Sequence, residues 1–483
     1  MKIASFGRFF LREKNVFVLL LFWVIVLGFA YSALSLTRHS HFDSGAFDLG
    51  IYDQGVWLYS RFEIPYSSVK ERLLLGDHLT LTLPLIAPLF YIFDDVRALL
   101  IFQAFWLSLS TIGVYKLALN RKIQPLPSFV IAFVYSFFYG IQFAVFFDFH
   151  PVIIAAGLLP WVAYALEKRK FRLFLSLTVL VILTQENMGL AVASIGLVYF
   201  FKKQYRKISV VMILTGIIAS FVSLKIVSYF SNVGYEYVPS INPNPIAIAW
   251  SFFDNADKLS VWIYSLGLFS FLPLLSPGSI LGATLDLAQY FATGEAFSRM
   301  WSPFMHHRII LASILALGII DAFEFLRKKG VNLYFLSIIV LSLSLIQQYY
   351  FHFPLNKLSK PIFHANQAWM EDNRKIISLV PKDVPIAAQQ NLVPHLSHRK
   401  EIYLLYPKKS TDPKKCFELK ECWWLDFGGK PEYLIVDTHE GSTLTQLLET
   451  RENFISALSN MQKTGKIQLF KRIGDAMVYR IVY

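Results

Sequence analysis

Charge is scarce in this chain: 16% of its 483 residues are Asp, Glu, Lys or Arg. That shortage excludes an ordinary soluble globular protein, whose charged share is about a quarter. Cysteine is scarcer still, with only Cys416 and Cys422 present. A disulfide scaffold is therefore excluded, and two thiols without a nearby histidine pair are weak metal ligands. No Walker loop, G-x-S-x-G, H-E-x-x-H or C-x-x-C pair occurs. The familiar signatures of soluble nucleotide, esterase, zinc-protease and thiol chemistry are all missing. Internal repeats and low-complexity tracts are missing too.

What is abundant is apolar. Hydrophobic residues make up 55% of the chain, and 44 are phenylalanine. Repeated apolar runs of membrane-crossing length place it in the polytopic membrane class. The formal charge of +13 then reads as basic loops on one side of a bilayer, and no nucleic-acid partner is expected. Spans are expected near 16–36, 97–118, 126–146, 151–167, 171–184, 188–201, 208–230, 260–275, 279–293, 306–326 and 331–350. The first is too long for a signal peptide and lacks a small-residue cleavage site, so it reads as a retained anchor.

Basic clusters set the sides. Lys2, Arg8, Arg12 and Lys14 precede the first span. Further clusters are Lys116 with Arg121 and Lys122, Lys168 to Arg172, Lys202 to Lys207, and Arg327 to Lys329. The positive-inside rule makes all five cytoplasmic, along with the N-terminus. The stretch 171–201 begins and ends in such clusters but cannot hold two full helices of about 20 residues each. A short hairpin turning at TQENMG (Thr184 to Gly189) is expected, with one long tilted helix as the alternative. A second hairpin is expected to turn at Ser276 to Gly278.

The expected architecture is an α-helical polytopic cell-membrane protein of about eleven spans. It covers residues 1–350, with a long first outer loop at 37–96. Residues 351–483 carry short β-type runs at 402–406, 433–438 and 476–483 and a helical pattern near 443–463. They read as a small extracytoplasmic α/β domain, in which a local Cys416–Cys422 disulfide is possible.

Polar groups collect near the outer face. GAFDLGIYDQGVW, in the first loop, carries Asp48 and Asp53. On a helix the two are rotated about 140° apart, so they do not form one chelating pair. Asp48, between Phe47 and Leu49, is the candidate for chemistry. Asp77 and His78 precede the apolar stretch LTLTLPLIAPLF. Asp148 and His150 lie in FFDFHP, where Pro151 disfavours helix at His150. Glu186, at the hairpin tip, needs a cation, a proton or a hydrogen-bonded cavity. Arg299, His306, His307 and Arg308 cluster in SRMWSPFMHHR, which can hold a phosphate or form an ordinary interfacial basic patch.

The stretches FDLGIYDQGVW, GDHLTLTLPLIAPLFYIF, FDFHPVIIAAGLLPWV, TQENMGLAVASIGL, LGLFSFLPLLSPGSILGATLDL, VPHLSHRKEIYLLYP and PEYLIVDT follow one another along nearly the whole chain. Their order resembles a family of predicted membrane proteins, domain-of-unknown-function family 2079. That family is similar to the GT-C glycosyltransferase superfamily. The resemblance implies sugar transfer from a polyprenyl-phosphate donor outside the cytoplasm, with an essential acidic residue in the first outer loop.

The expected function is accordingly a membrane glycosyltransferase with Asp48 as general base. Asp53, His306, His307 and Arg308 are the expected substrate-binding groups. Asp148, His150 and Glu186, with Asp77 and His78 as alternatives, are the expected ligands of a divalent cation, Mg, Mn or Zn. The rival expectations are a transporter or lipid flippase, favoured by broken helices with a glutamate, and a non-catalytic scaffold.

Overall fold

The apolar run at 16–36 folds as one helix, Glu13–Ser40, with Glu13 in its first turn and Arg38 and His39 in its last. Those charges complement the helix dipole. The computed structural model describes residues 12–237, 244–416 and 419–483. Lys2 and Arg8 of the first basic cluster lie outside the described residues.

Among the described residues five helices are long and apolar enough to cross a membrane: Glu13–Ser40, Arg97–Asn120, Arg206–Phe230, Phe297–Lys328 and Leu333–Tyr350. Pro125–Ser136 and Tyr139–Phe146, bent by 43°, make a sixth if counted as one. Helix Phe297–Lys328 is central, with 78% of its apolar window buried, against 28% for Arg206–Phe230 and Leu333–Tyr350. The outer helices leave large apolar side chains such as Ile218, Phe221 and Phe335 exposed, as lipid-facing surfaces do.

About eleven spans were expected from the apolar runs. Five of those runs form shorter helices instead: Val152–Glu167, Phe171–Ile182, Met188–Phe200, Ala256–Leu268 and Pro277–Phe291. The longest has 16 residues, below the roughly 20 that a crossing needs. Length and composition thus support five or six crossings. The 171–201 stretch does break at 183–187 into two helices, so the single long helix does not form. Glycine permits the next packing step. A Cβ on Gly189 would lie 2.2 Å from the Gly216 carbonyl oxygen, and one on Gly216 would lie 2.3 Å from that of Gly189. Helix Arg206–Phe230 therefore packs backbone to backbone against Met188–Phe200.

Four chain segments that carry basic clusters meet at one end of the bundle. Arg121 pairs with Glu167 at 2.5 Å and with Asp321. Lys202 reaches Asp321 at 2.6 Å, and Arg327 donates to the Lys122 carbonyl. Lys116 lies 5.9 Å from the Phe17 ring, which brings the start of the first helix to the same end.

Residues 386–481 build a five-stranded mixed sheet in the order Ile402–Leu404, Ile386–Ala388, Tyr433–Asp437, Ala476–Ile481, Ile467–Ile473. The first three strands are parallel, and the last two join antiparallel. The period of two sorts the faces. Leu434 and Val436 cluster with Phe454, Ala457 and Met461 of helix Arg451–Lys463. Ile435 falls in the other cluster, with Met370 and Ile376 of helix Ala368–Ser378. Cys416 and Cys422 are disulfide-bonded, their Cα atoms 5.4 Å apart.

This domain docks on the first loop. The Ala46 amide donates to the Gln390 carbonyl at 2.8 Å. Ser68 Oγ donates to the Ile402 carbonyl at 2.7 Å and accepts from its amide at 2.8 Å. Asp53 is fully buried, accepting from Ser397 Oγ at 2.5 Å and pairing with His398 Nε2 at 3.1 Å. Burial opposes a charge on His398, but Asp53 and Asp94 outweigh it and raise its pKa. Asp53 was expected to bind substrate. Its carboxylate instead pins the domain to the loop, and no face of it is left for a ligand.

Asp53→Ala leaves Ser397 with only the Pro394 carbonyl, at 3.0 Å, and the half-buried His398 with only Asp94, at 3.0 Å; losing hydrogen bonds to a charged group costs about 1.5–3 kcal/mol. The expected result is a lowered thermal midpoint of the purified protein and faster proteolysis within residues 351–483. An unchanged midpoint contradicts the docking role.

Candidate functional site

At the other end of the bundle, beyond the last turn of helix Glu13–Ser40, the structure encloses a cavity of about 790 Å³. Its walls come from the first loop, the 147–150 link, the break at 183–187, the segment 235–237 and the segment 289–307.

Asp48 stands on the first wall. It sits in the turn Ala46–Gly50 with φ 78° and ψ −91°, close to a γ-turn conformation that non-glycine residues seldom adopt. Such a conformation costs about 1–3 kcal/mol and persists only where its surroundings impose it. Here two clamps do so. Asp148 Oδ2 accepts from the Gly45 amide at 2.8 Å, while Asp148 Oδ1 is held by Arg38 Nη1 at 2.5 Å. The Gln390 carbonyl takes the next amide, Ala46. With the turn fixed, Asp48 Oδ1 meets His150 Nε2 at 2.7 Å. Burial alone would raise the Asp48 pKa, but His150 pulls it below the usual carboxylate range.

Asp148 was expected to ligate a metal. It does not line the cavity, and both of its oxygens are already taken. Its work is to place Asp48.

The opposite wall carries a second carboxylate–imidazole pair. Glu186 Oε1 contacts His78 Nδ1 at 2.8 Å and accepts from Tyr235 Oη at 3.0 Å. Glu186 Oε2 accepts from the Leu79 amide at 3.2 Å. Burial works to lower the His78 pKa, yet Glu186 and Asp77 raise it to about 9. The same pairing holds Glu186 low against the upward push of burial. Asp77 faces Lys70 Nζ at 3.4 Å.

Three histidines run along the third wall. The His150 and His306 rings stack with centroids 3.6 Å apart, and His306 and His307 follow at 3.9 Å. Among the described residues, neither ring nitrogen of His306 has a hydrogen-bond partner. Arg308, expected beside them as a phosphate ligand, turns away. Its guanidinium donates to the carbonyls of Met300 and Ser302 and lies 5.0 Å from the Tyr290 ring centroid. Being fully buried, it holds the 300–302 turn and is not among the cavity's lining residues. The cations that line the cavity are Lys70 and Arg299, and Arg299 has no ion-pair partner among the described residues.

Among the described residues, no three His, Cys, Asp or Glu side chains converge as a metal site. Asp48–His150 and Glu186–His78 are two separate pairs, so the donors present do not form the expected cation site.

Lys70, Arg72, Tyr235, Glu236 and Tyr237 escaped the sequence reading. Their signal was slight: two cations at i, i+2, which a strand turns to one side, and an aromatic–acid–aromatic triplet after a span. The family model described as a predicted membrane protein (DUF2079) matches residues 38–454. No curated protein matches the chain.

The raised pKa of His78 fixes a sign. Its contribution is fully present below its unfolded value near 6.5 and disappears as pH rises through about 9. Thermal midpoints measured across that window should fall in the wild type, and His78→Asn should remove this component. An identical pH profile in the variant contradicts the pairing.

Proposed function

This chain belongs to the DUF2079 family of predicted membrane proteins, and we propose that it is a membrane glycosyltransferase of the GT-C type, using a polyprenyl-phosphate-linked sugar. One observation carries the reading. A single cavity holds Asp48 in a strained, clamped turn on one wall and Lys70, His78 and Arg299 around it. That is the charge pattern for removing a proton from an acceptor and receiving a phosphate leaving group.

In the proposed step the acceptor oxygen attacks the anomeric carbon, and its proton passes to Asp48. The new C–O bond forms as the bond from that carbon to the phosphate oxygen breaks. The electron pair leaves on the lipid phosphate, where the cations meet it. His150 keeps Asp48 ionised and aimed. One displacement inverts the anomeric centre. Ser220 and Leu224 of helix Arg206–Phe230 also line the cavity. That candidate span exposes much of its apolar surface, which supports a lateral path for a lipid tail.

The gathered basic segments at the far end support a cytoplasmic placement of that end by the positive-inside rule, which puts the cavity and the C-terminal domain outside. The shorter apolar helices then complete a bundle of about eleven membrane segments. Transport is the second reading, favoured by the helix break that carries Glu186.

Purified protein in lipid nanodiscs, given labelled polyprenyl-phosphate sugars, should transfer the label to an acceptor in membrane extract or release it to water. Asp48→Asn should slow this by about 10²–10⁴, the usual worth of a general base. Transfer at the wild-type rate in Asp48→Asn overturns the assignment. Sugar crossing sealed vesicles unmodified, without label release, favours transport.

A further inference from the structure

Lys70, a cation of the cavity, and Arg72, which does not itself line the cavity, are both engaged by Glu236. Glu236 Oε1 accepts from Arg72 Nη2 at 2.9 Å, and Glu236 Oε2 pairs with Lys70 Nζ at 3.2 Å. Arg72 has no other ion-pair partner among the described residues. It is buried, and its Nε donates to the Lys70 backbone carbonyl at 3.2 Å, while the Lys70 ammonium also faces Asp77 at 3.4 Å. The carboxylate is the loose member, since the Glu236 side chain is 36% exposed against 9% for Arg72.

Its neighbours lie across the cavity like a strap. Tyr235 donates to Glu186, and the Tyr237 ring stacks on His78 at 4.8 Å. Lys70 lies 5.8 Å from the ring of Phe47, the residue next to Asp48. Whatever anion replaced the Glu236 carboxylate would therefore sit beside the turn that presents Asp48.

A carboxylate bridging a lysine and an arginine presents two oxygens where a phosphate monoester, such as the lipid phosphate released in the proposed step, would present three, at higher charge. Glu236 is already partly hydrated, so returning it to water costs little. Exchange therefore favours the phosphate.

We propose that Lys70 and Arg72 form a subsite for a phosphate monoester, and that Glu236 is its built-in competitor, leaving with the Tyr235–Tyr237 strap as the ligand enters. The subsite rests on reading the cavity as one for a phosphate-bearing ligand. It is tested by binding alone, so a chain that binds in this way but transfers no sugar would overturn only the glycosyltransferase reading.

The experiment measures affinity of the full chain in nanodiscs for a polyprenyl monophosphate, for inorganic phosphate and for the uncharged polyprenol. Glu236→Gln keeps the shape and removes the competing charge. It should tighten phosphate binding by about tenfold, the scale of one charge-assisted hydrogen bond. Polyprenol binding should not change. Arg72→Gln should weaken phosphate binding by a similar factor, and Lys70→Gln serves the same purpose if the buried Arg72 variant fails to fold. Tightening confined to the lipid phosphate identifies a lipid headgroup, and equal tightening for inorganic phosphate identifies a free phosphate; both support the subsite. Unchanged or weaker phosphate binding in Glu236→Gln overturns it, as does an equal gain for the uncharged polyprenol.

Discussion

The site depends on one buried carboxylate. Asp148 spans Arg38, in the last turn of the first helix, and the Gly45 amide, at the start of the turn that carries Asp48. Its two oxygens are spent on two different jobs. One joins the end of a membrane helix to the 147–150 link, and the other imposes a backbone conformation that Asp48 would not hold alone. Removing Arg38 would leave the buried Asp148 charge without its ion-pair partner, which is why such contacts hold geometry so firmly. His150 lies two residues further along the same link, so the residue pairing with Asp48 is placed by the same short segment that clamps its turn.

The C-terminal domain completes that frame. The Gln390 carbonyl takes the Ala46 amide, Asp53 grips Ser397 and His398, and Ser68 bonds to the strand at Ile402. The first loop is thus held from the membrane side by Arg38 and Asp148 and from the sheet side by the 389–402 segment. A domain docked in this way is part of the scaffold of the cavity. Changes in it should be felt at Asp48 even though no strand of its five-stranded sheet lines the cavity.

Much of this was legible in the chain, for physical reasons. Asp48, His78, His150 and Glu186 stood out because ionisable groups beside apolar runs need a partner or a task, and all four line the cavity. The helix break at 183–187 followed from a stretch too short for two crossings between basic flanks. Asp53, Asp148 and Arg308 were equally visible as charges, but their roles were not. Asp53 meets Ser397, 344 positions away, and Asp148 meets Arg38, 110 positions away. Sequence spacing carries no sign of such a partner, so a satisfied structural carboxylate looks like a ligand. Lys70, Arg72 and Glu236 failed in the opposite way. In a loop they read as ordinary solvated charges, and only the fold brings Lys70 and Glu236 to the cavity and Arg72 onto Glu236. Of the expected spans, length and composition support five or six, because a run of apolar residues marks burial equally well in lipid or inside a helical bundle.

The central claim is that Asp48 and the cationic wall face the two ends of one bond in a lipid-linked sugar phosphate. Its most direct test is a cryo-EM structure of the chain in a nanodisc with a non-hydrolysable polyprenyl-phosphate sugar. The account predicts phosphate oxygens within about 3 Å of Lys70, the sugar between them and Asp48, and the lipid tail leaving along helix Arg206–Phe230. A ligand bound elsewhere, with Asp48 still facing only His150, would contradict it.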